Sequence, residues 1–355
     1  MKRYEIIIKP VSGFGTPLKG DTLFGQFCWQ AAYDNSLLNG GLEKWLETYS
    51  SQPFAVFSSA VPRLVNGADV WYALRRPDCP ISWFFPDRSQ DRAAIIDARK
   101  SIKKAKYLAV KNTLKLDWEN AELWTDQHLL KQYRTGMTSD MQYQLSHLES
   151  KEFETVFPQP HNSINRITGT TGSGMFAPYV KTGTHYYPEI TMAIFVLIDE
   201  DATDLERLCT GLSRMGAFGF GRDASIGLGR FELVSSKEIA WVNPTGANAC
   251  YTLGPCVPEP NSFNFNNAWF SPFTRFGRHG DRLATSGKPF KNPVIMADEA
   301  AIFQPIDPDG FSRPYFGTAV RGVSKAQPNA VTQGYAPYLP FRLEAIHERN
   351  IPLCD

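Results

Sequence analysis

Five glycines (Gly216, Gly219, Gly221, Gly227 and Gly229) and two arginines (Arg222 and Arg230) fall between a helical pattern and a strand pattern. Glycine takes positive φ cheaply and lets another backbone come close, so such a loop can aim several N–H groups at one anion. The chemistry this suggests is phosphate binding. A nucleotide-triphosphate loop is excluded, because the sequence G-x-x-x-x-G-K-[ST] is absent and the glycines lead into a strand instead of opening a helix. A nucleic-acid backbone suits the stretch better. The same glycines also fit a tight helix-to-strand turn that needs them for geometry alone.

Other residues that could do chemistry are scattered. Arg99, Lys100, Lys103, Lys104, Lys106, Lys111 and Lys115 form one basic cluster and Arg275, Arg278, Arg282, Lys288 and Lys291 another. Each reads either as a solvated face or as a nucleic-acid contact. The six histidines (His128, His147, His161, His185, His279, His347) include no closely spaced pair, and no His, Cys or carboxylate group has ligand spacing, so neither a catalytic constellation nor a metal or cofactor site is expected. Asp21 reads as a helix cap, and Asp223 as a loop aspartate that accepts N–H bonds in its own turn. The six cysteines lie far apart without a C-x-x-C pair, which suggests reduced thiols.

The elements that must position these residues show in the apolar pattern. Arg3 to Lys9 reads as a buried strand ended by Pro10. From Asp21, Leu23, Phe27 and Ala31 recur at four-residue spacing as a packed helix face. A short helix over Leu37–Tyr49 and a strand over Phe54–Ala60 follow. The stretch from Pro77 to Thr155 is mixed and reads as an insertion. Pro188–Ile198 is the clearest strand, Asp204–Met215 is helical with Leu205, Leu208 and Leu212 on one face, and Arg230–Val234 is again a strand. These are two β-α units, which favour an α+β sandwich of ferredoxin-like (RRM-like) type over a doubly wound sheet. The 355 residues, 43% of them hydrophobic, have room for two domains: residues 1–240, holding the insertion and a thumb (about 77–187) and the Gly-rich loop, and 241–355 beyond the Pro244–Gly246 break. In the second half Cys250–Val257, Asn267–Phe273, Val294–Ala297 and Arg342–Glu344 read as short strands. Trp269–Phe273 is a core strand or a docking segment.

No apolar run approaches the roughly 18–20 residues of a membrane span, and the first ten residues lack a secretory pattern, so a soluble cytoplasmic protein is expected. A formal charge of +1 is low for a free-standing nucleic-acid binder, so any RNA contact must be local.

The order of segments is itself informative. The stretch Gly15–Gly25, with Thr16, Pro17, Lys19 and Asp21 inside it, is followed by Phe54–Pro62, the lysine-rich segment ending at Leu108, His161–Gly169, the glycine loop, Val294–Phe303 and Gln333–Pro340. This series resembles, over nearly the whole chain, the RAMP proteins of type III CRISPR effector complexes, nearest the fourth Csm-type subunit of the Cas-five group. The resemblance implies two RRM-like RAMP domains, an inserted thumb, no catalysis, and binding of the crRNA 5′ handle. It implies as partners the large polymerase-like subunit on one side and a backbone RAMP subunit on the other, in antiviral defence.

Carried onto this sequence, Gly216–Gly229 would hold handle phosphates with Arg222 and Arg230 as charge partners. Phe218 and Phe220 would stack on bases or else plug the loop onto its own domain. Asn162–Phe176 would be the thumb, with Arg166 reaching a phosphate or 2′-OH and Phe176 or Met175 wedging a base. Lys19 and His161 are weaker candidates. Two alternatives stay open: a metal-independent endoribonuclease for precursor crRNA using His161 or His185, and a scaffold that touches only proteins.

Overall fold

The computed structural model describes residues 1–84, 92–118, 121–147, 152–306 and 311–344. The first half runs β1 (Lys2–Pro10), α1 (Gly20–Tyr33), α2 (Leu42–Thr48), β2 (Ala55–Phe57), β3 (Val61–Asn66), β4 (Asp69–Arg75), α3 (Arg92–Lys104), β5 (Tyr107–Lys111), β6 (Glu122–Trp124), α4 (Asp126–Thr135), α5 (Ser139–Leu145), β7 (Glu154–His161), β8 (Tyr179–Tyr186), β9 (Thr191–Ile198), α6 (Leu205–Phe218) and β10 (Phe231–Glu238). The second runs β11 (Ala249–Thr252), β12 (Phe263–Trp269), β13 (Pro272–Arg275), α7 (Asp281–Ala284), β14 (Val294–Ala297), β15 (Ile302–Pro305), β16 (Tyr315–Gly317) and β17 (Tyr335–Phe341).

Ile6, Ile7 and Ile8 are all buried, so β1 is covered on both faces and sits centrally, as an unbroken β-branched run requires. The main sheet has the order β10-β1-β9-β3-β4-β5-β6, with β2 also paired to β9. The two β-α units of the sequence are β1–α1–β2 and β9–α6–β10, and their four strands lie in the order β10-β1-β9-β2, all antiparallel. The two helices pack closely because α6 offers Gly211, where a Cβ would come within 2.6 Å of the Phe27 ring of α1. Asp204 caps α6 by accepting the Arg207 N–H at 2.9 Å.

Within the expected insertion, β5 and β6 join the main sheet and continue the edge that β3 and β4 begin before it. β3, β4, β5 and β6 extend the main sheet, since Leu64, Tyr72, Leu74, Leu108 and Val110 are buried against it, and only β7–β8 leaves it as a separate two-stranded hairpin. Pro158 and Pro160 lie on β7, paired to Thr182 and Val180 of β8. Proline has no N–H to donate, which makes the outer edge of this hairpin a poor template for another strand.

The second half holds the sheet β12-β15-β11-β17-β16 and the β13–β14 pair. A second RRM-like unit would need two packing helices, and among the described residues this half has only the four-residue α7. Its last strand among the described residues is Tyr335–Phe341, not Arg342–Glu344. Two prolines hide it in the sequence. Pro340 lies opposite Cys250 of β11, and Pro337 lies opposite Tyr315 of β16 while its carbonyl accepts the Leu253 N–H at 2.8 Å.

The halves share a core, in which Phe57, Tyr49, Tyr335 and Leu339 belong to one buried cluster. Fully buried Gln333 donates to the Phe57 carbonyl at 2.8 Å and accepts the Phe57 N–H at 3.0 Å, completing the hydrogen bonding of β2 across the junction.

Candidate nucleic-acid interface

The Gly-rich loop wraps the segment that follows β1 and touches the root of the β7–β8 hairpin. Helix α6 extends through Gly216 to Phe218. Gly216 is therefore helical, and it serves packing: a Cβ there would stand 2.1 Å from the Phe231 carbonyl oxygen. Gly219, Gly221, Gly227 and Gly229 all have positive φ.

Their amides face inward. The Gly219 N–H donates to Met215 O at 2.9 Å, Phe220 to Gly229 O at 2.8 Å, and Gly229 to Gly13 O at 2.7 Å. Gly227 and Leu228 close the inner turn on Ala224 O and Asp223 O at 3.0 and 3.3 Å. Three polar side chains take three more: Gln26 Oε1 accepts Gly221 N–H, Thr16 Oγ1 accepts Arg222 N–H, and Ser12 Oγ accepts Arg230 N–H, each at 2.9 Å. Gln26 also donates to Gly219 O at 3.0 Å. The expected cradle is therefore corrected for the glycine and arginine amides, since a donor already bonded inside the protein has nothing left for an anion; among the described residues the N–H groups of Asp223, Ala224 and Ser225 have no such internal partner. Thr16, Ser12 and Gln26 are the functional residues that sequence reasoning missed.

The side chains separate more sharply. Phe220 is fully buried and plugs the loop onto its own domain, which removes it as a stacking candidate, whereas Phe218 is 74% exposed. Arg222 is tied down: its guanidinium donates to the Thr182 carbonyl of β8 and lies 3.1 Å from Asp223. Asp223, in left-handed conformation at φ 65°, also pairs with Lys181 of β8 at 2.7 Å. Its carboxylate thus clamps the hairpin, and only its carbonyl serves its own turn. Arg230 is exposed and, among the described residues, has no hydrogen-bond or ion-pair partner for its side chain.

The hairpin is pinned at its root by the Phe14–Thr184 bridge, two 2.8 Å hydrogen bonds. Its far end, residues 162–178, turns through Gly169 N–H to Asn165 O at 2.8 Å and leaves Arg166, Ile167 and Met175 exposed, with Phe176 half-buried. Like Arg230, Arg166 has no side-chain partner among the described residues. His161 stacks on Tyr179 (centroids 5.3 Å apart, planes 10°) and His185 on Phe157 (4.1 Å). These two histidines sit six register positions apart along the hairpin, roughly 20 Å at the usual rise per residue, and do not form a pair.

Lys19 leaves the candidate surface. Its ammonium pairs with Asp298 and lies 3.6 Å from Glu299, with Arg75 on the same carboxylates, at the junction of the two halves. Burial pushes the Glu299 carboxyl above the usual range; at Asp298 burial acts the same way, but the Lys19 and Arg75 charges outweigh it and hold that carboxyl low. Asp21 is likewise no cap, since α1 begins a residue earlier and Asp21 takes a bidentate bond from Arg275 at 2.6 and 3.0 Å. Of the first basic cluster, Lys106 pairs with Asp126 and Lys111 covers the Trp71 ring.

No family model matches the sequence, and no curated protein matches it either. The fold has known counterparts. A chain in the crystal structure of a Csm1–Csm4 cassette in complex with cA4 superposes with a TM-score of 0.53 at 15% identity, over 96% of this chain and 98% of that one. A chain in the crystal structure of a Csm3–Csm4 subcomplex of the type III-A CRISPR–Cas interference complex gives 0.53 at 14% identity, over 97% and 100%. Csm4 is the component common to both assemblies, so the Csm4 fold expected from the segment order is the fold found.

Proposed function

We propose that this chain is a non-catalytic subunit of a type III CRISPR effector complex, that it binds the crRNA 5′ handle, and that it links the large polymerase-like subunit to the backbone RAMP subunits. The observation carrying this reading is the end-to-end fold likeness to a chain found once beside Csm1 and once beside Csm3. The reading also takes the β1–α1–β2 and β9–α6–β10 units as a ferredoxin-like RAMP domain.

Recognition rests on side chains. The Gly-rich loop acts as a collar that fixes residues 12–16 and the hairpin root, which sets the places from which Arg230, Phe218 and, farther out, Arg166 meet the strand. Arginine supplies a planar cation for phosphate, and an exposed ring supplies a face for an unstacked base. With a net charge of +1, the subunit alone binds RNA weakly and in a salt-dependent manner, and gains affinity from neighbours that hold the same strand.

The test is affinity purification of the tagged chain from cells that express a full set of effector genes. Expected is a short RNA with a uniform repeat-derived 5′ end, together with one large and one backbone subunit. A chain recovered without RNA and partners overturns the reading, and specific cleavage of labelled repeat RNA in EDTA replaces it with the endoribonuclease.

A further inference from the structure

The second basic cluster of the sequence has no part in the site above, yet it lies on a hairpin whose outer face is unusual. Exposure alternates along β13 and its continuation: Pro272, Thr274, Phe276 and Arg278 point outward, while Phe273, Arg275 and Gly277 point inward. On the returning strand Lys288, Phe290, Asn292 and Ile295 are outward. The ladder is held beyond the β13–β14 register by Lys291 N–H to Gly277 O at 2.8 Å, by His279 N–H to Pro289 O at 2.9 Å, and by the Arg278–Phe290 bridge. The inward side is anchored to the first half through Arg275 and Asp21 and through Gly280, which lies against Trp29 of α1.

The outward side carries Phe276 at 77%, Phe290 at 68% and Ile295 at 72% exposure. The Arg278 guanidinium stands over the Phe290 ring, 5.6 Å from its centroid, and donates to Ala284 O at 3.1 Å, which holds the cation in place. Of the five basic residues between Pro272 and Ala297, Arg278 and Lys288 face outward, while Arg275 is spent on Asp21 inside. Flat rings and an arginine plane in a basic strip suit an unpaired polyanion with flat bases. The core of a protein-docking patch is depleted of lysine, and here Lys288 faces outward beside the rings. Position agrees: Gln26 of α1 holds the Gly-rich loop, and Trp29, about one helical turn on, meets the hairpin, so one helix joins the two surfaces.

We infer that the outer face of the β13–β14 hairpin, made by Phe276, Phe290 and Arg278, is a second contact for single-stranded RNA, on which unpaired bases stack. It rests on the RNA-binding reading of this chain. The full chain is mixed with a 4-thiouridine-substituted oligouridylate at low salt, irradiated, and the adducts are mapped by mass spectrometry. Adducts within residues 272–293, and a loss of roughly 10-fold or more in affinity with Phe276→Ala plus Phe290→Ala, are expected. Both rings are exposed, so the variant should melt as the parent does.

Adducts confined to residues 162–178 and 216–230, with affinity unchanged in the double variant, overturn this inference and leave the RNA-binding reading standing. No adduct anywhere, from a chain that also purifies from cells without RNA, overturns both. If the double variant strips a protein subunit from the purified complex while its adducts stay as in the parent, the face is a protein dock and the inference falls.

Discussion

The Gly-rich loop and the β13–β14 hairpin exchange the roles that their compositions suggest. The loop has the glycines of an anion cradle, yet the amides of its positive-φ glycines and of its two arginines are bonded to Met215, Gly13, Ala224, Gln26, Thr16 and Ser12. The hairpin has the look of an ordinary solvated basic stretch, yet it holds two phenylalanines open to water beside an arginine that already stands over one of them. What separates the two is the neighbourhood. Residues 12–16 and α1 arrive at the loop with acceptors at the right spacing, and nothing arrives at the outer face of the hairpin among the described residues.

Substitutions can break that contrast, beginning with the largest expected effect. Gly229→Ala puts a Cβ 2.1 Å from the Phe220 carbonyl oxygen at a φ of 76°, and should cost about 4 kcal/mol in urea unfolding; a parent-like midpoint would mean the loop is not the rigid collar described. Lys19→Ala leaves Asp298 and Glu299 short of a cation at the junction, with an expected loss of about 3 kcal/mol by the same measurement and no selective effect on RNA.

Arg166→Ala with Arg230→Ala should act in the opposite manner. Melting stays as in the parent because neither side chain has a partner among the described residues, while RNA affinity falls roughly 10-fold and the salt dependence flattens by about two contacts. Gly227→Ala separates conformational strain from crowding within the loop. No atom lies within 4 Å of its would-be Cβ, so only the φ of 95° resists, and about 1 kcal/mol is expected.

The smallest effect concerns the brace behind the loop, where Asp34 at the end of α1 meets Arg214 of α6 at 2.8 Å. Hydrogen bonds from Ser36 and then from Arg214 hold the Asp34 carboxyl down to about 2. A depressed acid stabilises the fold above its unfolded value near 3.8 and loses that contribution as pH falls through about 2. Arg214→Ala should move the Asp34 titration, followed by NMR, part of the way back up; no movement would show that Ser36 acts alone.

How legible each part was follows from how local its causes are. The strand through Ile6–Ile8 and the helix with Leu208 and Leu212 announce themselves by short-range pattern, and the structure places both where the pattern does; the thumb at Asn162–Phe176 comes from the family resemblance, and the structure has those residues at the end of the β7–β8 hairpin. The last strand among the described residues carries Pro337 and Pro340, which have no N–H for a ladder, and the staggered ends of β11 and β16 accommodate them. Among the site residues, Phe218 and Phe220 could not be told apart two positions from each other, since burial depends on which side of the loop Gly13 and Gly229 close. Lys19 and Asp21 read as surface and cap because their partners lie more than 250 residues away in the chain.

By itself, the sequence determined the β-α units, a turn that only glycine can make, and the segment order that points to the Csm4 fold. These depend on steric and hydrophobic preferences that act over a few residues or repeat with a fixed period. The tertiary structure decided which amides and cations are still free to bind anything. Availability is whatever remains after every long-range partner has been satisfied, and that remainder is set by contacts between segments hundreds of positions apart.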